Sequence, residues 1–326
     1  MSGRLHRRAF LAALGLGALG ARRAAEAQTP ARVYRLGILR STAPEKRTGI
    51  PAALSELGWI EGKNLMVEQR FADGKLDRLP AMARELVDRR MDVIVAVGLA
   101  AGHAAKAATS TVPLVMWGNA DPVAAGFVTS MARPGSNITG ILIASEGTLA
   151  SKKLELLREA VPRASRVAFL LPEDPSVRLQ EQELQKAASA LGVKLVVVTV
   201  RGRDYDRAFA TMVAERSGAL FVAASSYFVT DRKRIIALAE KHRLPAMYEW
   251  TSQVEDGGLM AYGSDEAALI RRIAAYIDLI FKGARPGDLP FEQPTRFELA
   301  INLKTARAIG LTLPPALLAR ADRVIE

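Results

Sequence analysis

One order of residues occurs twice in this chain. Leu57-Gly58 leads to the apolar run Leu65-Met66-Val67, a break at Ala72-Asp73-Gly74, and Asp77-Arg78. An amphipathic stretch to Arg89 follows, then Val93-Ile94-Val95-Ala96-Val97. About 130 residues later the order returns: Leu191-Gly192, Leu195-Val196-Val197-Val198, a break at Arg201-Gly202-Arg203, Asp206-Arg207, an amphipathic stretch to Arg216, and Ala219-Leu220-Phe221-Val222-Ala223. Val112-Pro113-Leu114-Val115 after the first copy matches Leu244-Pro245-Ala246-Met247 after the second. Each copy alternates short β-branched runs with helical periodicity, which predicts a small open parallel sheet covered by helices. Such sheets bind ligands at the carboxyl ends of their strands. Two of them facing each other across a cleft suit a two-lobed binding protein better than a single catalytic sheet.

The first 27 residues read as an export signal. Arg4, His6, Arg7 and Arg8 form a basic start, 9–21 is apolar, and Ala25-Glu26-Ala27 fits a small-x-small cleavage site before Gln28. The apolar run is too short to cross a bilayer about 30 Å thick as a helix. Arg7-Arg8-Ala9-Phe10-Leu11 resembles a twin-arginine signal, with the general secretory route left open. Gly15-Leu16-Gly17-Ala18-Leu19-Gly20 spells a dinucleotide fingerprint inside this segment, but no strand precedes it. With no cysteine, the chain has no disulfide, thiolate metal site or lipidated Cys. Net charge is +11, and cleavage removes four net positive charges. The remaining basic residues alternate with acids along helices, so no nucleic-acid partner is expected.

In the mature chain the patterning predicts strands at 33–39, 65–71, 93–97 and 114–117, with helices at 50–57, 76–89, 100–109 and 123–132. Residues 137–141 read as a crossover. Beyond it come a helix at 151–161, strands at 167–171, 194–200, 219–223, 246–248 and 259–262, a long helix at 266–281, a linker at 290–294, a strand at 297–301 and a helix at 303–309.

Catalytic and metal motifs are missing. His103 and His242 have no second ligand at metal spacing, there is no G-x-S-x-G elbow, and there is no phosphate loop. The carboxylate pairs Glu173/Asp174 and Glu255/Asp256 read as turn residues and caps. No enzyme and no cofactor are expected. What recurs instead is polar residues just past strands: Ser41 and Thr42; Asn119 and Asp121; Glu173 and Asp174; Ser225, Ser226 and Tyr227; Glu249 and Trp250. With Gly98, which opens a helix, they form the candidate ligand set. Trp117, Tyr227, Tyr248 and Trp250 could supply apolar walls. Asp121 reads equally well as a helix cap and as a ligand contact.

Particular strings carry a resemblance. Among them are Ala72-Asp73-Gly74-Lys75-Leu76-Asp77-Arg78-Leu79-Pro80, Asp121-Pro122-Val123-Ala124-Ala125-Gly126 and Ala132-Arg133-Pro134-Gly135-Ser136-Asn137-Ile138-Thr139-Gly140. Gly257-Gly258-Leu259-Met260-Ala261-Tyr262-Gly263 and Leu289-Pro290-Phe291-Glu292-Gln293-Pro294 continue it. Together they resemble the TrpX-like substrate-binding proteins of bacterial ABC transporters. The resemblance implies the type 1 periplasmic-binding fold, two Rossmann-like α/β lobes joined by three crossovers. It divides the chain into a signal peptide, 1–27, an N-terminal lobe of 28–138 plus 264–292, and a C-terminal lobe of 139–263 plus 293–326. It also implies a monomeric periplasmic receptor that hands a small-molecule ligand, first an aromatic amino acid, to the membrane subunits of an ABC permease. A periplasmic sensor on the same fold is the alternative. Gly98-Leu99-Ala100 and Glu173-Asp174-Pro175 depart from the relatives' usual residues, and the added carboxylate suits an ammonium-bearing ligand.

Overall fold

Two sheets account for the repeat. The computed structural model describes residues 32–42, 49–143, 148–174 and 177–326; the expected export signal lies outside these residues. In the first sheet are β1 (Tyr34–Arg40), β2 (Leu65–Phe71), β3 (Val93–Val97), β4 (Leu114–Gly118) and β5 (Ile138–Leu142), in the order β2-β1-β3-β4-β5 and parallel throughout. Helices α1 (Ile50–Glu56), α2 (Leu79–Asp88) and α3 (Leu99–Ala108) connect its first four strands. All five residues of β3 are buried, as a parallel strand covered on both faces requires.

The second sheet follows α4 (Thr148–Ala160). Its elements are β6 (Arg166–Pro172), α5 (Arg178–Ala190), β7 (Lys194–Val200), α6 (Tyr205–Ala214), β8 (Ala219–Val222), α7 (Ser226–Thr230), α8 (Arg232–Lys241), β9 (Ala246–Tyr248), α9 (Thr251–Glu255) and β10 (Met260–Ser264). The chain then returns to the first sheet through α10 (Glu266–Phe281). Leu269, Ile273, Ile277 and Ile280 of that helix join Leu36, Ile38 and Val95 in one core, each buried side chain contributing about 1.5–3 kcal/mol. Finally β11 (Phe297–Asn302), α11 (Leu303–Ala308), α12 (Pro315–Leu318) and β12 (Arg323–Ile325) complete the second sheet, ordered β12-β11-β10-β9-β8-β6-β7. Only the β10–β11 pairing is antiparallel.

Two expectations are corrected. Residues 123–132 form turns rather than a helix. Gly126 stands at φ 71°, and the Phe127 and Val128 N–H groups both donate to the Pro122 carbonyl, so the chain folds back and buries both side chains. Residues 137–141 are not a crossover, since Ile138–Leu142 is a fully buried strand paired with β4. The first passage between sheets therefore comes after Leu142, not at 138/139. The later passages lie between β10 and α10 and in the segment before β11. That last segment is bound to the first sheet: Leu142 N–H donates to Glu292 O at 2.8 Å and Glu292 N–H to Gly140 O at 3.0 Å. Arg272 of α10 adds a guanidinium–carboxylate bond to Glu292 at 2.8 Å.

Candidate ligand-binding cleft

In an open parallel sheet, crevices form where neighbouring strands send their connections in opposite directions. In the first sheet that point is at β1, flanked by β2 and β3; in the second it is at β6, flanked by β7 and β8. A cavity of about 120 Å³ lies where these two points meet, close to the size that encloses one aromatic ring. The first sheet contributes Arg40, Ser41, Val97, Gly98, Trp117 and Asn119. The second contributes Asp174, Gln180, Ser225, Ser226, Glu249 and Trp250, and Glu266 comes from the start of α10.

The candidate residues separate into two groups. Ser41, Gly98, Asn119, Asp174, Ser225, Ser226, Glu249 and Trp250 line this cavity. The other four have different settings. Thr42 donates its hydroxyl to Ser226 O at 3.2 Å across the cleft, and Tyr227 donates its own to Gly74 O at 2.8 Å, so both join the sheets to each other. Glu173 is 64% exposed at the rim, beside Arg201. Of the two carboxylates in that departing segment, Glu173 is thus in water while Asp174 lines the cavity. Asp121 accepts from the Val123 N–H at 2.6 Å and the Ala124 N–H at 3.0 Å, holding the turn that replaces the expected helix. Asp121→Asn keeps that acceptor, so unfolding should show a change within about 0.5 kcal/mol and titration an unaltered affinity. Asp121→Ala should lose about 1–2 kcal/mol with the two bonds.

Four lining residues had no signal of their own as polar contacts. Arg40 ends β1 and is only 8% exposed. Burial pushes its pKa down to about 10, opposed by the charge of Glu266, so it stays a cation at neutral pH. The Glu266 carboxyl is held above its usual range, chiefly by burial and against a Ser252 hydroxyl bond and the charges of Arg40 and Arg232. Gln180 of α5 braces the loop after β8 with a reciprocal pair, Nε2 to Ala224 O and Ala224 N–H to Oε1, each 2.9 Å. Trp117, expected as an apolar wall, also carries a buried indole N–H that has no partner among the described residues. Glu249 is paired with Lys153 of α4, and both side chains are buried. Among the described residues no group of acidic or His side chains could hold a metal ion, and no helix is long and apolar enough to cross a membrane.

The profile of the ABC transporter substrate binding protein family matches residues 40–325, nearly the whole described chain. The chain belongs to that family. Family membership makes it a non-enzymatic substrate-binding protein, in keeping with the missing catalytic motifs. It is similar to a tyrosine-binding protein of Clostridioides difficile, 23% identical over 81% of this chain and 76% of that one. A conserved domain protein from Vibrio cholerae superposes with a TM-score of 0.81 at 26% identity, covering 90% of this chain and all of that chain. A domain from Streptococcus pneumonia crystallised with L-Trp superposes at 0.80 with 22% identity, again over 90% of this substrate-binding protein and all of the other.

Proposed function

We propose that this substrate-binding protein is an exported, monomeric receptor that closes around a small solute and delivers it to the membrane subunits of an ABC permease. The carrying observation is the cavity between the two sheets, bridged by the Thr42–Ser226 and Tyr227–Gly74 hydroxyl bonds. Loops from both sheets surround one volume, so a ligand there touches both lobes and favours the form in which they meet. Closure of this kind draws its free energy from the difference in ligand contact between open and shut forms. Aromatic amino acids are the first solutes to test. The indoles of Trp117 and Trp250 supply apolar surface, and the relatives named above include a tyrosine-binding protein and a domain crystallised with L-Trp.

The test is a thermal-shift screen of the mature chain, residues 28–326, with aromatic and other amino acids. A ligand at a hundredfold excess over Kd adds about 2.7 kcal/mol to the folded state, a rise of several degrees. Absence of a shift with every aromatic amino acid, alongside a shift with another solute class, would replace the ligand and keep the receptor. N-terminal sequencing of the exported protein should begin at Gln28; retention of the uncleaved chain in the cytoplasm of its host would end the export reading.

A further inference from the structure

We infer that Arg40 is the anion-binding residue of this cleft and that the solute is an organic acid held through its carboxylate. The inference rests on the receptor reading above and names the ligand class.

Strand register places the group. Arg40 pairs with Val97 and Val97 with Trp117, so the three lie in one row across β1, β3 and β4, on one face at the carboxyl end of the sheet. Arg40 is more than nine-tenths buried, and its Nε is sealed from solvent without a hydrogen-bond partner. A guanidinium cannot shed its charge at neutral pH, and buried charges in proteins are ordinarily paired. Glu266 is within electrostatic reach but receives its hydrogen bond from Ser252. Two positions along the same row, the Trp117 indole N–H is likewise sealed without a partner. Between them α3, ten residues long, begins at Gly98 with no side-chain cap, and Gly98, Leu99 and Ala100 line the cavity. The first-lobe wall thus brings a guanidinium unpaired among the described residues and the start of α3 to the cavity, while the sealed Nε and indole N–H themselves lie behind its surface.

Two of the three acidic groups on the lining are engaged elsewhere, and the third, Asp174, comes from the facing wall. Glu249 is taken by Lys153, and Glu266 sits opposite Ser252. A ligand carboxylate answers Arg40, because its two oxygens match the planar fork of a guanidinium. The Ser225–Ser226 loop on the facing wall is compatible with an ammonium group on the same ligand, as in an amino acid, without requiring one.

The experiment is calorimetric titration of the mature protein with acid and amide partners: L-tryptophan and L-tryptophanamide, L-phenylalanine and its amide, benzoate and benzamide, phenylacetate and phenylacetamide, with inorganic phosphate as a bare anion. At least one acid should bind, its amide at least tenfold more weakly. Arg40→Gln should lose at least tenfold for that acid while melting as the wild type does, since the side chain gives up no hydrogen bond within the protein. Arg40→Lys, which keeps the charge without the fork, should fall between. An amide bound as tightly as its acid, an Arg40→Gln protein of undiminished affinity, or phosphate bound in preference to every acid overturns the inference. If only neutral or cationic solutes bind, the inference fails and the receptor reading stands; if nothing in this panel or the wider amino-acid screen binds, both fail.

Discussion

Gly263→Ala lowers the melting temperature by about 6–12 °C and weakens ligand binding in the same variant. Gly263 lies in β10, and a methyl group there would be driven into the carbonyl oxygen of Glu249, well inside van der Waals contact. That atom is backbone, so no side-chain rotation relieves the overlap. Either β10 or the chain leaving β9 must shift. Overpacking of this kind costs about 3 kcal/mol, and for a domain of this size each kcal/mol moves the midpoint by about 2–4 °C. The damage reaches the cleft because Glu249 and Trp250 both line it. Gly49→Ala is the control: its methyl meets only the side chain of Ile270, Cδ1 at 3.3 Å and Cγ2 at 3.4 Å, with φ at −64°, and should cost under about 1 kcal/mol. Scanning calorimetry of the two variants checks this. Equal melting temperatures would show that the β9–β10 junction yields.

Lys153→Met should destabilise the protein by about 3–5 kcal/mol, and adding Glu249→Gln should restore most of that loss. The two side chains are 6% and 7% exposed and pair with each other between α4 and the end of β9. Removing one partner strands a charge in a poorly solvated place; removing both leaves a neutral amide beside a thioether. Denaturant unfolding of the single and double variants should give a coupling energy above about 2 kcal/mol, where independent sites would give less than about 0.5. The same corner of the cleft is held from a second side, where Gln253 Oε1 accepts the N–H groups of Glu249 and Trp250 at 3.1 and 3.0 Å.

Much of this architecture was legible because its strands are short apolar runs set off by turn residues; β3 is buried throughout, whereas the outer strands β2 and β7 are only partly covered. Residues 65–71, 93–97 and 194–200 coincide with β2, β3 and β7, and 266–281 with α10. The errors have local causes. Residues 123–132 carry apolar residues at helical intervals, but Gly126 at positive φ and the doubly used Pro122 carbonyl favour turns. Ile138-Thr139-Gly140-Ile141-Leu142 is short and holds a glycine, which disguised a strand. At the cleft, small polar residues after strands could be picked out by position alone. Arg40 could not, because an arginine closing an apolar run ordinarily turns outward to water. Lys153 was hidden by a charged-looking helix, and Gln180 acts on Ala224 from 44 positions away.

The segment before β11 has a second consequence. β5 is an outer strand of its sheet, and outer strands offer unpaired N–H and C=O groups as a template for any extended chain nearby. Here Glu292 occupies that template from within, exchanging bonds with Gly140 and Leu142, while Phe291 lies buried so close to Gly140 that a methyl group there would collide with it. The connection between the lobes thus also acts as a seal against aggregation. If the lobes swing at each delivery, rotation taken up beyond Pro294 keeps that seal in place, so that opening does not bare a sticky margin.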